Sequence, residues 1–151
     1  MFDQQIFDAE GDGSQDVNTL FSLSGEFLAA AQVLLAAPRG RVGYSSATYY
    51  LLGHSAELML KAFLCKHGQT INDLRKLNHD LRKLAARARD AGLPERVPLD
   101  QILRLAAAYK EKSFEYRRNK NQTFPSLDLL TEEVDSLQVA VFDQLLRECD
   151  P

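Results

Sequence analysis

The stretch over residues 44–66 is apolar on nearly every side when wound as a helix, and this constrains the whole chain. One face carries Tyr44, Ala47, Leu51, Leu58, Ala62 and Cys65; another carries Tyr49, Leu52, Ala56, Met59 and Phe63. Such a helix has no polar side to give to water, so it belongs in the middle of a bundle. The rest of the chain has to supply its cover.

It does so with further helices. Helical spacing runs through Val17, Leu20, Phe21, Phe27, Leu28, Ala31, Leu34 and Leu35, with Ser14 or Asp16 as the cap and Pro38 closing the segment. Residues 38–43 read as a loop, and Gly68 as the stop of the central helix. Residues 69–78 form a connection with room for one helical turn. Asn78-His79-Asp80 then opens a shorter helix whose stripe is Leu81, Leu84, Ala85 and Ala88, ended by Gly92 and Pro94. A further helix starts near Leu99 and carries Ile102, Leu103, Leu105, Ala106 and Tyr109; residues 110–118 can extend it. After a break at 119–125, Ser126 caps a last helix with Leu130, Val134, Leu137, Val141 and Leu145.

No run alternates with period two for long enough to make a sheet. The expectation is an all-α protein, an up-and-down bundle of four or five helices. A single domain over 14–151 follows a flexible acidic lead-in over 1–13. The 151 residues, 45% hydrophobic, suit one domain and exclude general disorder. No uninterrupted run approaches the roughly 20 apolar residues of a bilayer span. The acidic N-terminus lacks the basic-then-apolar pattern of a secretory signal. Two cysteines, Cys65 and Cys149, cannot staple a scaffold of this size. A cytoplasmic protein with no membrane partner is expected.

The net charge of -3 conceals a split. Residues 61–120 hold 15 of the 18 Lys and Arg but only 7 of the 21 Asp and Glu. Acidic flanks either neutralise this basic middle or leave it to an anionic partner. Its densest part, Lys110-Glu111-Lys112-Ser113-Phe114-Glu115-Tyr116-Arg117-Arg118-Asn119-Lys120, interleaves cations with two aromatics. Guanidinium groups grip phosphate in bidentate fashion, and exposed rings stack on bases. Equally, Phe114 and Tyr116 can be core anchors. A second basic run passes from Arg75-Lys76 through Arg82-Lys83 to Arg87 and Arg89.

On the central helix, His54, Glu57 and Lys61 share a face by their spacing of three and four. They are either a satisfied internal pair or, with His79, the polar floor of a pocket between helices. Spacing offers no metal site: Cys65 and His67 are two apart and lack a second pair of ligands. No Gly-rich phosphate loop, nucleophile elbow or Cys-x-x-Cys pair appears, so no metal or cofactor is expected.

Three segments resemble the HEPN domain family of helical bundles. Ala56-Glu57-Leu58-Met59-Leu60-Lys61-Ala62-Phe63-Leu64 is similar to its A-E-x-x-L-K-x-x-L core helix. His79-Asp80-Leu81-Arg82-Lys83-Leu84 is similar to its H-D-L-x-x-L turn, and Tyr109 through Tyr116-Arg117-Arg118 to its late tyrosine and arginine region. The likeness spans residues 44–145.

Ribonucleases of that family carry R-x4–6-H. Arg118-Asn119 matches the start, but Thr123, Phe124 and Pro125 stand where the histidine falls, and none of them transfers a proton near neutral pH. The resemblance therefore implies a non-catalytic, homodimeric module that binds RNA, a nucleotide or another phosphate-bearing ligand. Tyr116, Arg117, Arg118, Asn119 and Lys120 would form its anion site. The alternatives are a protein partner of a nucleotidyltransferase-type protein in a toxin–antitoxin or stress-response system, and a non-standard ribonuclease using Tyr116, Arg118 and His79.

Overall fold

A computed structural model describes residues 13–37, 45–110 and 124–147. Among these residues all the regular structure is helical: α1 Gly13–Ala36, α2 Ser45–Lys66, α3 Ile71–Lys76, α4 Leu81–Asp90, α5 Asp100–Lys110 and α6 Leu127–Arg147. The all-α expectation holds. The described residues hold six helices, because the connection at 69–78 winds into α3 and the segments of 10 and 11 residues are full helices.

The centre is α2, which touches every other helix and packs most extensively against α1. Residues 55–60 are buried without interruption, as a helix with no polar face requires. The ends of α2 are wetter, with Ala47 exposed and Leu51 and Cys65 half-buried. Around it, α1 contributes Val17, Leu20, Leu28 and Ala31, α4 contributes Leu81, Leu84 and Ala88, and α6 contributes Leu130, Val134, Leu137 and Val141.

Two expectations about α1 change. The helix reaches Gly13, the edge of the described residues, so Ser14 and Asp16, expected ahead of it, fall within its range. Its stretch Val17–Ala36 is also long and apolar enough, by length and composition, to cross a membrane. No uninterrupted apolar run marks it, because Asn18, Ser22, Ser24, Glu26 and Gln32 are interspersed.

Local chemistry sets the other ends. Thr70 and Asp73 form a capping box at α3: Thr70 Oγ1 accepts from the Asp73 N–H, and Asp73 Oδ2 from the Thr70 N–H, both at 3.1 Å. Asp80 caps α4 by accepting from the Lys83 N–H at 3.2 Å. Gly92, at φ 111, turns the chain out of α4 through a region that a side chain would resist. Arg89 then binds the carbonyls of Pro94 and Val97, which holds the connection to α5 in place.

The start of α5 is capped from another helix. Leu99 occupies the cap position, and its side chain has no acceptor to offer the free N–H groups. Glu133 of α6 takes that role, accepting from the Ile102 N–H at 2.7 Å. Burial raises the Glu133 pKa above its ordinary value, only partly countered by the N–H groups of α5.

Candidate functional site

Two helices and the turn after α3 meet at the carboxylate of Glu57, which is 2% exposed. Lys61, one turn further along α2, donates to Oε2 at 3.1 Å. Tyr109 of α5 donates its hydroxyl to Oε1 at 3.0 Å, and Nδ1 of His79 lies 2.7 Å from the same oxygen. His54 joins through Tyr109, with Nδ1 at 3.1 Å from the phenol oxygen.

Burial pushes the Glu57 pKa up, but the His79 hydrogen bond and the nearby Lys61, His79 and His54 outweigh it, so the net displacement is downward. An ionised carboxylate only accepts hydrogen bonds, and that orders the network. His79 must donate from Nδ1. The single Tyr109 hydroxyl proton is committed to Glu57, so His54 donates to the phenol oxygen. Every donor points inward toward one buried charge.

The geometry depends on two unusual backbone positions. Gly53 lies mid-helix, and a Cβ there would stand 2.5 Å from Cδ1 and 2.8 Å from Cε1 of the Tyr109 ring. Without one, the ring packs directly against α2 and its hydroxyl reaches Glu57. Asn78 adopts φ 48, a left-handed turn that asparagine tolerates better than most residues. It directs His79 back toward α2.

His79 is also the link to the surface, since its side chain is 48% exposed. It lines a cavity of about 430 Å³ with Lys76, Leu77, Asn78, Asp80, Lys83 and Lys110. Asp80 is the only acid among those residues, and Lys110 engages it at 3.2 Å. The lysine, the Lys83 N–H and the Lys83 charge overcome the upward effect of its burial, so its pKa is lowered. Lys76 and Lys83 have no ion pair or side-chain hydrogen bond among the described residues.

Of the expected pocket floor, His54, Glu57, Lys61 and His79, the structure brings all four into one network but places only His79 on the cavity wall. The others stand behind it, because α2 is too deeply covered to reach the surface. Glu57 and Lys61 are thus the internal pair and the support of a pocket residue at once. The expected anion-binding residues Tyr116, Arg117, Arg118, Asn119 and Lys120 lie outside the described residues. Lys110, the first residue of that basic segment, does meet the second basic run, beside Asp80 and Lys83. Arg89, counted in that run, is instead committed to the Pro94 and Val97 carbonyls.

Tyr109 was counted as part of an apolar stripe. Its hydroxyl role had one sequence signal, a glycine in the middle of the most apolar helix, which implies close approach by another group. Among the described residues no three His, Cys, Asp or Glu side chains stand close enough together to hold a metal ion. Comparison with family models, with curated proteins and with solved structures finds no match for this chain.

Proposed function

We propose that this protein is a non-catalytic, HEPN-like module, homodimeric, which binds RNA, a nucleotide or another phosphate-bearing ligand in the cavity beside His79. The observation that carries this reading is the cavity wall: Lys76, Lys83 and Lys110 surround His79, while the one acid, Asp80, is already engaged by Lys110. Three ammonium groups set against a single carboxylate favour an anion, and helix-borne lysines hold it at a defined place. The two segments that best resemble HEPN domains support the reading, since Glu57 of one is bonded to His79 of the other.

The test is binding of uridine monophosphate and of a labelled oligouridylate by fluorescence anisotropy or calorimetry, at 50 and 200 mM salt. Affinity is expected to fall with salt, as phosphate contacts require. It is also expected to fall at least tenfold in the Lys76→Ala, Lys83→Ala double variant. Binding that ignores both changes removes the site, and cleavage of the oligouridylate would replace the binding reading with a ribonuclease.

A second reading has its own observation. Val139, Phe142 and Leu146 are exposed on one face of α6, at the i, i+3, i+7 spacing of a helix-docking surface. A nucleotidyltransferase-type partner in a toxin–antitoxin or stress-response pair would fit there. Co-purification of one such protein, lost on Phe142→Asp, is the result that would favour it.

A further inference from the structure

Next to the His79 cavity is a second one, of about 310 Å³, lined by Gln69, Asp73, Lys76, Leu77 and Arg87. The two share Lys76 and Leu77, so they open on either side of the end of α3. Lys83 and Arg87 are four residues apart on α4, hence on one face, and that face is turned away from the buried Leu81, Leu84, Ala85 and Ala88. The cations therefore run in order: Lys110 and Lys83 in the first cavity, Lys76 between the two, Arg87 in the second.

The acids along this track are already occupied. Asp80 is tied to Lys110 and to the start of α4. Asp73 is closed into the capping box with Thr70, whose hydroxyl lies 2.8 Å from its Oδ2, and its charge also acts on Lys76 and Arg87, which leaves the second cavity two cations to one acid. Lys76, Lys83 and Arg87 have no ion pair or side-chain hydrogen bond among the described residues. Like charges one helical turn apart repel each other, and an anion laid between them relieves that repulsion. A mononucleotide carries a single phosphate, enough for one cavity and not for the cationic excess of both.

We infer that the two cavities are successive phosphate subsites, and that the ligand is a single-stranded oligonucleotide whose backbone crosses Lys76 from Lys83 to Arg87. This rests on the reading of the His79 cavity as a phosphate site and adds to it a ligand class and a direction. Arg87 is the discriminating residue, because it lines only the second cavity. Its guanidinium offers a bidentate grip on phosphate, which a lysine in that place would not.

The experiment measures affinities of uridine monophosphate and of an eight-residue oligouridylate for the wild type, Arg87→Ala and Lys83→Ala. Circular dichroism confirms that each variant is folded, as expected for exposed positions. The wild type should bind the oligomer at least tenfold more tightly than the monophosphate. Arg87→Ala should weaken the oligomer about fivefold or more and leave the monophosphate within twofold. It should also reduce the slope of log affinity against log salt by about 0.7, the value for one lost contact on a single strand. Lys83→Ala should weaken both ligands.

An oligomer that binds no better than the monophosphate, or is indifferent to Arg87→Ala, overturns the second subsite while leaving the first intact. Indifference of both ligands to Lys83→Ala overturns the first site as well.

Discussion

Nδ1 of His79 lies 2.7 Å from Oε1 of Glu57, joining a half-exposed ring on a turn to a carboxylate that is 2% exposed. The pair makes one residue serve two environments. The inner edge of His79 helps neutralise a buried charge, while the ring forms part of a cationic cavity wall. Substitutions at either residue should therefore be read in stability and in binding together.

His79→Ala deprives Glu57 of one donor while Lys61 and Tyr109 remain. Losing one partner of a buried polar group costs about 1–3 kcal/mol. Urea denaturation should show a loss in that range, and ligand binding should weaken even at temperatures where the variant is fully folded. An unchanged midpoint would mean that the Glu57 charge does not depend on this bond.

The pH profile of stability should carry the signature of Glu57. Its folded pKa is lowered, so its contribution is fully present above the ordinary carboxylate value of roughly 4.3 and is lost as pH falls through the folded pKa. Glu133, with a raised folded pKa, works the other way: its charged form is penalised at neutral pH, and the penalty disappears on acidification. Melting temperatures of Glu57→Gln from pH 3 to 7 should fall less steeply on the acid side than those of the wild type. An equally steep fall would assign acid unfolding to other carboxylates.

Gly53→Ala should destabilise the fold by about 1–3 kcal/mol, the usual effect of an overpacked core, although alanine is the better helix former. The clash is with the Tyr109 ring and, at 3.2 Å, with Leu105. Combining it with Tyr109→Leu, which removes the ring, should recover part of the loss. Strict additivity in that double-mutant cycle would show that the two positions do not meet.

Glu133→Ala should cost about 0.5–2 kcal/mol, as removal of a helix cap does, measured by chemical denaturation. Glu133→Gln keeps an acceptor for the Ile102 N–H without the desolvated charge and should be the milder of the two. The reverse order would show that the charge itself is needed at the start of α5.

What the sequence revealed divides along a physical line. Periodicity and capping are local, so α2 as the central helix, the stop at Gly92 and the stripes of α4 and α6 were legible from spacing. The shared face of His54, Glu57 and Lys61 was legible for the same reason. That Tyr109 and His79 close on Glu57 depends on which helices cross opposite α2, and no local pattern encodes a crossing. Glu133 was hidden similarly: an acid in the first turns of α6 has a local explanation in the helix dipole, while its partner is the start of α5. Its one trace was Leu99, an apolar residue where a helix needs a cap. The fate of the basic middle needed the third dimension too, since only contacts show Arg89 and Lys110 engaged while Lys76, Lys83 and Arg87 make no ion pair or side-chain hydrogen bond among the described residues.

The convergence on Glu57 has a consequence for how the chain assembles. Before the turn at Asn78 and the end of α5 arrive, Lys61 is the one hydrogen-bond donor that α2 itself shows to this charge among the described residues, and closing the core over it would strand a poorly compensated carboxylate. Docking of α2 is thereby linked to segments 22 and 52 residues further along the chain. Partial assemblies that lack either one gain little, so the bundle is expected to form in a single cooperative step, with no stable intermediate of α1 and α2 alone. Coincident unfolding curves from circular dichroism and from tyrosine fluorescence would report that step.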